Sequence, residues 1–160
     1  MKTKILMMAI AALIILGCNK EDTDLEKPVI DFSTEDSFPN NCDTLWLGET
    51  FTFRTTFTDN RELGSYSIEI HENFDHHSHS TEETPCELLP EKEPVNPYEF
   101  LQDYMIPDGL SVYDTNNIIE IPDGNNEGLF DEGDYDVSVS LTDREGWSAQ
   151  KIISVKLFRR

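Results

Sequence analysis

Four histidines cluster in one short stretch of the chain. His71, His76, His77 and His79 are all the histidines of the 160-residue sequence, and Asp75 lies among them. Imidazole nitrogens suit zinc and copper, and a carboxylate can complete the coordination shell. The sequence therefore predicts a transition-metal site for Zn or Cu with these five residues as candidate ligands. The alternative is a polar loop in which the histidines are incidental.

The spacing of the histidines indicates which of them can act together. His77 and His79 are two residues apart, so an extended backbone places both on one face. His76 and His79 are three apart, which suits a turn. His71 is expected on the outward face of its strand, because the alternating apolar residues of 66–70 take the inward face.

A second candidate site is the glycine-rich acidic stretch Asp123–Asp134, called here the acidic connection. It approaches the calcium-loop spacing D-x-[DN]-x-[DN]-G-x5-E. Glu127 and Asp134 depart from that spacing, and the flanking residues have the pattern of strands rather than helices. We therefore expect a structural connection here and no calcium site.

The three cysteines have two different expected roles. Cys42 and Cys86 form an even pair, which in an exported chain predicts a disulfide. Two thiolates that bind a metal are the alternative. Cys18 is set apart by its position, because it ends an apolar run.

The N-terminus has the features of an export signal. Lys2 and Lys4 precede an unbroken apolar run over 5–16, which is too short to span a bilayer as a helix. Gly17-Cys18 follows, and residues 15–18 resemble a lipobox, in which the cysteine is lipidated after cleavage. The sequence predicts a lipoprotein signal peptide over 1–17. An ordinary secretory signal that contains a cysteine is the alternative.

Residues 18–27 are expected to be a lipidated cysteine and an acidic tether. Lys20 is followed by two acidic residues, which resembles the surface-export signal of Bacteroidota lipoproteins. We therefore expect an outer-membrane lipoprotein that is exposed at the cell surface, with a periplasm-facing protein as the alternative. The lipid is the expected contact with the membrane.

Charge excludes one class of partner. The formal net charge of the chain is −20. Loss of Lys2 and Lys4 with the signal would make it about −22, and such a chain repels the phosphates of nucleic acids. Recognisable catalytic motifs are lacking in the sequence, so an enzyme is not expected.

The hydrophobic pattern predicts an all-β domain over 28–160. Apolar and polar residues alternate in several short runs with turn residues between them, which is typical of half-buried strands. About seven strands of this kind fit an immunoglobulin-like β-sandwich. The predicted strands cover residues 28–32, 51–57, 66–70, 100–106, 118–121, 135–141 and 153–157.

Tyr135 sharpens this prediction. It follows Asp131-Glu-Gly133-Asp at the start of the penultimate strand, which resembles a tyrosine corner whose hydroxyl bonds back to the preceding turn. In such a sandwich the histidines, Cys42 and the acidic connection share one end. The N-terminal tether attaches at the other end, so we expect the histidines to face away from the membrane.

Four segments together resemble a family of Bacteroidota lipoproteins that carry a domain of unknown function. They are 63–68 (LGSYSI), 71–80 (HENFDHHSHS), 133–135 (GDY) and 141–143 (LTD). The resemblance implies an immunoglobulin-like fold and an extracytoplasmic location, and no established activity. We expect a membrane-anchored binding lipoprotein with a histidine-rich metal site. The alternative is a metal-independent module that binds protein or glycan, for which Trp46, Trp147 and Tyr113 could present aromatic rings.

Overall fold

The computed structural model describes residues 23–77 and 86–160. Within these ranges the chain contains twelve β-strands and no helix, and so no helix that is long and apolar enough to cross a membrane. The strands are β1 (Val29–Asp31), β2 (Thr44–Trp46), β3 (Glu49–Phe53), β4 (Thr56–Thr58), β5 (Leu63–Glu72), β6 (Phe100–Met105), β7 (Val112–Asp114), β8 (Asn117–Ile121), β9 (Gly124–Asn125), β10 (Gly128–Leu129), β11 (Gly133–Asp143) and β12 (Ser148–Phe158).

The strands form a β-sandwich of two layers. One layer is a five-stranded sheet in the order β2-β12-β11-β5-β6, in which β2 is parallel to β12 and the other neighbours are antiparallel. The other layer contains β1-β4-β7 and the pair β3-β8. β3 leads directly into β4, and β7 leads into β8. This second layer therefore consists of three strand paths, which are β1, β3-β4 and β7-β8. A small hairpin, β9-β10, lies in the acidic connection.

The core lies between the two layers. Alternate side chains along β5 and β11 point into it, as expected for strands with one face buried. The largest fully buried side chains are Phe53, Phe57, Leu63, Ile68, Ile70, Ile106, Ile119, Ile121, Tyr135, Leu141, Ile153 and Leu157. This confirms the predicted all-β sandwich.

Each predicted strand overlaps an observed one, with one interruption. The strand predicted over 51–57 is broken between β3 and β4. There the Thr55 N–H donates to Thr115 Oγ1 at 2.8 Å, and Thr55 Oγ1 donates to the Asp31 carbonyl at 2.8 Å. These side-chain hydrogen bonds interrupt the regular ladder, although the Thr115 N–H still donates to the Thr55 carbonyl at 3.0 Å. β2, β7, β9 and β10 were not predicted.

The polar segment after β5 covers the outer face of the five-stranded sheet. This covering segment, residues 73–77 and 86–97, contacts β11 through the Asn73 N–H, which donates to the Asp134 carbonyl at 2.9 Å. The Leu89 N–H donates to Asp134 Oδ2 at 2.7 Å. As a result Asp134, Asp136 and Ser138, which face away from the core, are buried. The predicted irregular segment thus creates a polar layer outside the sandwich.

Candidate metal centre

His71 and Asp136 face each other across two central strands. They are cross-strand partners in the antiparallel pair β5-β11. Their neighbours Ile70 and Val137 are fully buried in the core, so His71 and Asp136 project from the opposite face of the sheet. This is the outward orientation that the sequence predicts for His71. Directly opposed side chains in a sheet have Cβ atoms about 5 Å apart, close enough for both to bind one ion.

Asp136 is a carboxylate with no solvent exposure, at 0 %. Asn73 Nδ2 donates to its Oδ2 at 2.9 Å, and Ser154 Oγ donates to its Oδ1 at 2.8 Å. A buried carboxylate is unfavourable unless charge or hydrogen bonds compensate for lost hydration. The covering segment and β12 therefore hold this oxygen pair in a fixed position beside the histidines.

His77 reaches the same place from the covering segment. Its ring stacks on that of His71, with centroids 5.9 Å apart and an interplanar angle of 15°. Asp75 Oδ1 lies 2.6 Å from His77 Nδ1. This hydrogen bond is the main cause that raises the pKa of His77 above 6.5, with further contributions from the charges of Asp75, Asp136 and Glu72. Partial burial opposes the shift.

Two imidazoles and one carboxylate thus converge. One ligand atom each from His71, His77 and Asp136 lie within 4.8 Å of one another. Bonds of about 2 Å from zinc to nitrogen and oxygen bring ligand atoms within about 4 Å, so only small movements would close the set around an ion. Histidine nitrogen with carboxylate oxygen is a donor set that suits zinc or copper.

The other predicted ligands have different surroundings. His76 lies 3.7 Å from both Asp134 Oδ2 and Glu91 Oε1, and its backbone is left-handed with φ of 55°. Asp75 is 74 % exposed and is bound to His77, where it can orient the imidazole rather than ligate. The bond lowers the pKa of Asp75. His79 lies outside the described residues.

A disulfide holds the covering segment near the site. Cys42 and Cys86 are bonded, with an S–S distance of 2.02 Å, as the sequence predicts. The Cys42 N–H donates to the Ser154 carbonyl at 2.7 Å, and Ser154 Oγ binds Asp136. The two sulfurs are therefore not ligands, and they fasten the segment onto the same strand that supports the buried carboxylate.

A comparison with family models places the chain. The model described as Domain of unknown function (DUF4625) matches residues 16–158. The chain belongs to this family. A search of curated proteins found no match.

The carboxylates of the acidic connection in this DUF4625 chain make hydrogen bonds within the fold. Asp123 Oδ1 accepts from Arg159 Nε at 2.6 Å. Asp131 Oδ2 accepts from the N–H groups of Val95 and Asn96 at 2.7 and 2.8 Å. The carboxylate of Asp134 is held by the covering segment. These contacts agree with the expected structural connection.

The three aromatic residues considered for protein or glycan binding make contacts within the fold. Trp147 Nε1 donates to the Asp24 carbonyl at 3.0 Å, and the ring of Tyr113 packs 6.1 Å from that of Tyr66. The guanidinium of Arg160 lies over the ring of Trp46. These rings therefore have packing roles in the DUF4625 domain.

Asp136 is the site residue that sequence reasoning missed. It is one of 32 acidic residues, and it sits in a strand whose alternation is obvious. Its outward position in that alternation was readable, but its pairing with His71 depends on strand register across 65 residues. An outward aspartate in a strand next to a histidine-bearing strand is the signal that could have found it.

Proposed function

We propose that this chain is an extracytoplasmic lipoprotein that binds a divalent transition metal, Zn²⁺ or Cu²⁺, through His71, His77 and Asp136. The observation that carries the proposal is the convergence of their ligand atoms within 4.8 Å. His79, two residues beyond His77, stays a predicted fourth ligand.

Pre-organisation of the three side chains supports this function. Asp136 is held by two hydrogen bonds, and His77 is oriented by Asp75 through Nδ1, which leaves Nε2 as the nitrogen for an ion. A ligand set fixed before binding loses little conformational freedom when the metal arrives. The negative charge of the chain would also attract a cation.

The proposed location follows from the N-terminal sequence. Cys18 after an apolar run is proposed to carry the lipid, with residues 1–17 removed as the signal. Lys20 and the acidic residues behind it favour display at the cell surface, and a periplasm-facing protein is the alternative. Membership of the DUF4625 family is compatible with our further proposal that the source is a Bacteroidota species.

We also propose that the sandwich is immunoglobulin-like. The order of the five-stranded sheet, with β2 parallel to the last strand, and the order β1-β4-β7 in the facing layer support this topology. The hydroxyl of Tyr135, which donates to the Asp131 carbonyl four residues earlier, supports it further.

Calorimetric titration of the full-length chain in detergent tests the metal site. Wild-type protein is expected to bind one Zn²⁺ or Cu²⁺ more tightly than roughly 100 μM. His71→Gln and His77→Gln should each weaken binding by about tenfold or more, because each removes one ligand. Binding should weaken below pH of about 6.5, where protonated imidazole cannot ligate.

His76→Gln is the discriminating variant. It removes a neighbouring histidine that lies against Asp134 and Glu91, so it should leave the affinity within about twofold of wild type. An equal loss in His76→Gln and His77→Gln would favour the larger predicted histidine cluster instead. Wild-type binding weaker than the stated limit would remove the proposed function.

A metal-independent interaction module is the second candidate. The edge strand β6 exposes Leu101 and Met105 by 68 % and 70 %, and exposed apolar edges are common at interaction surfaces. A partner protein or glycan captured equally well with and without chelator would favour it. Loss of that partner in Leu101→Lys, with metal affinity unchanged, would separate the two functions.

A further inference from the structure

Three aspartates from distant parts of the chain meet at the other end of the sandwich. Asp24 precedes β1, Asp59 follows β4, and Asp143 is the last residue of β11. One carboxylate oxygen of each lies within 4.8 Å of the other two. Strands that run in alternate directions bring their adjoining loops to one end, which explains how residues so far apart in sequence come together.

Donors hold one oxygen of Asp24 and one of Asp59. Asp24 Oδ1 accepts from the Glu26 N–H and from Asn60 Nδ2, both at 3.0 Å. Asp59 Oδ2 accepts from the Arg61 N–H at 2.7 Å. These bonds set the orientation of each carboxylate and leave the second oxygen of each directed elsewhere.

Asp143 has the same arrangement. Its Oδ1 accepts from the N–H groups of Gly146 and Trp147 at 2.6 and 2.8 Å, which closes the turn between β11 and β12. Its side chain is therefore fixed by the turn, and Oδ2 is the oxygen left over.

The three remaining oxygens are buried and lack hydrogen bonds. Asp24 Oδ2, Asp59 Oδ1 and Asp143 Oδ2 are inaccessible to solvent and have no hydrogen-bond partner among the described residues. Asp24 and Asp143 are each only 4 % exposed. Buried carboxylate oxygens nearly always have a donor or an ion, so three such atoms in carboxylates this close together indicate a missing positive charge.

A cation, Arg61, and two hydrogen-bond donors lie near Asp24. The Glu26 N–H is the main cause that lowers the pKa of Asp24, followed by Asn60, and both donate to its Oδ1 rather than to Oδ2. Arg61 contributes a smaller lowering, and its guanidinium lies 3.7 Å from Glu145. Ionised oxygens that face one another are mutually repulsive.

We propose that Asp24, Asp59 and Asp143 form a Ca²⁺ site. The donor set is made only of oxygen, which suits Ca²⁺ rather than the metals that prefer imidazole. A cleft of about 600 Å³, lined in part by Asp24, Leu25 and Trp147, adjoins the cluster. This site is separate from the acidic connection, whose spacing does not favour calcium.

The ion would fasten the N-terminal segment to the sandwich. Asp24 is the ligand that comes from this segment, and its carbonyl accepts from Trp147 Nε1. Ca²⁺ would therefore join the chain before β1 to the loops that follow β4 and β11. Removal of the ion would leave three repelling carboxylates and would loosen this attachment.

The test is calcium titration of the full-length chain in detergent after treatment with EGTA. We expect one Ca²⁺ per chain by calorimetry, a Kd of about 1 mM or lower, and a higher melting temperature with calcium. Asp24→Asn, Asp59→Asn and Asp143→Asn should each weaken binding by about tenfold or more. Each asparagine can keep the bonds to the fixed oxygen and replaces the free one with a group that does not ligate.

Asp31→Asn is the matched control. Asp31 Oδ1 accepts from the N–H and hydroxyl of Ser33 at the end of β1, so the same change is made in a similar turn outside the cluster. Its calcium affinity should equal that of wild type. A wild-type melting temperature unaffected by millimolar calcium would overturn the proposal, and so would equal binding in Asp31→Asn and the three cluster variants.

Two further measurements keep the result interpretable. If the cluster variants do not fold, the Trp147 fluorescence of wild type should still change on addition of Ca²⁺, and Trp147→Phe should abolish that change; no change in wild type would overturn the proposal. The calcium affinity of His71→Gln should equal that of wild type, because the two sites share no ligand. A loss of calcium binding in His71→Gln would overturn the assignment to the aspartates.

Discussion

Tyr135 joins two parts of the chain through one hydroxyl. It donates to the Asp131 carbonyl at 2.8 Å and accepts from the Tyr98 N–H at 3.1 Å. Burial is the main cause that raises the pKa of Tyr135 to about 12, so the hydroxyl keeps the proton that it donates. The glycine of the same motif, Gly133, has φ of 153°, and a β-carbon there would lie 2.6 Å from Phe74. Two contacts thus explain the motif: Gly133 leaves room for the ring of Phe74, and the hydroxyl of Tyr135 bonds back to the preceding turn.

Tyr135→Phe is expected to lower the free energy of unfolding by about 1–3 kcal/mol, because the buried Tyr98 N–H loses its acceptor. Chemical denaturation measures this. Tyr104→Phe is the control, since that ring is only partly buried on edge strand β6, and it should change stability by about 0.5 kcal/mol or less. Equal losses in the two variants would contradict the role of the corner hydroxyl.

The bond between Asp75 and His77 predicts a pH effect in the metal-free protein. Since the folded state raises the pKa of His77 above 6.5, this bond contributes stability below that pH, and the contribution is lost as pH rises through the folded pKa. Asp75→Asn should therefore move the His77 pKa, measured by NMR titration, back toward 6.5. It should also destabilise the protein more at pH of about 5.5 than at pH of about 8. A His77 pKa unchanged in Asp75→Asn would contradict the assignment.

At the scale of elements, the covering segment converts a solvent-facing sheet surface into a polar interior. Its hydrogen bonds to β11 and the Cys42–Cys86 bond place it across β11 and β12. The position of His77 depends on this attachment, because His77 belongs to the segment while His71 and Asp136 belong to the sheet.

The double variant Cys42→Ala/Cys86→Ala should lower the free energy of unfolding by about 4 kcal/mol in the chain-entropy model, given a sequence separation of 44. Zn²⁺ affinity should fall as well, because ordering His77 would then oppose binding. Denaturation and calorimetry on the same samples measure both effects. The control is wild type in reducing agent, which should match the variant; full Zn²⁺ affinity in the variant would show that the segment is held without the bond.

The long strands were predictable from sequence because their alternation extends over many residues. β5 and β11 bury every second side chain against the facing layer, so local pattern and tertiary environment agree. β2, β9 and β10 have two or three residues each and form only by pairing with distant or adjacent chain, which leaves no periodic signal. His71 and His77 were identified by residue type, whereas Asp136 and the cluster of Asp24, Asp59 and Asp143 depend on strand register and loop position.

At the scale of the whole molecule, β11 connects the two candidate metal sites. Asp136 belongs to one and Asp143 to the other, which at about 3.4 Å per residue places them roughly 24 Å apart along one strand. Asp24 lies at the Asp143 end, so the first described residues and the described histidines His71, His76 and His77 are at opposite ends, as the sequence predicts. The formal net charge of −20 would draw cations to both ends.

If Cys18 carries the lipid, the two ends of the domain lie at different distances from the membrane. Only five residues separate Cys18 from Asp24, a reach of at most about 22 Å, so the aspartate end would lie close to the membrane and the histidine end away from it. Cys18→Ala tests the anchor. The variant is expected to take up no radioactive palmitate and to leave the membrane fraction or remain unprocessed, because one apolar run of this length does not span a bilayer.

The control for that experiment is Cys42→Ala/Cys86→Ala, which removes the other two cysteines and leaves the predicted lipidation position intact. It should still be labelled by palmitate and should stay in the membrane fraction, even though its domain is less stable. Label that persists in Cys18→Ala, or label lost equally from both variants, would contradict anchoring at Cys18. Because neither candidate metal site contains Cys18, metal affinity measured on the Cys18→Ala protein should equal that of wild type, which separates the anchor from the binding function.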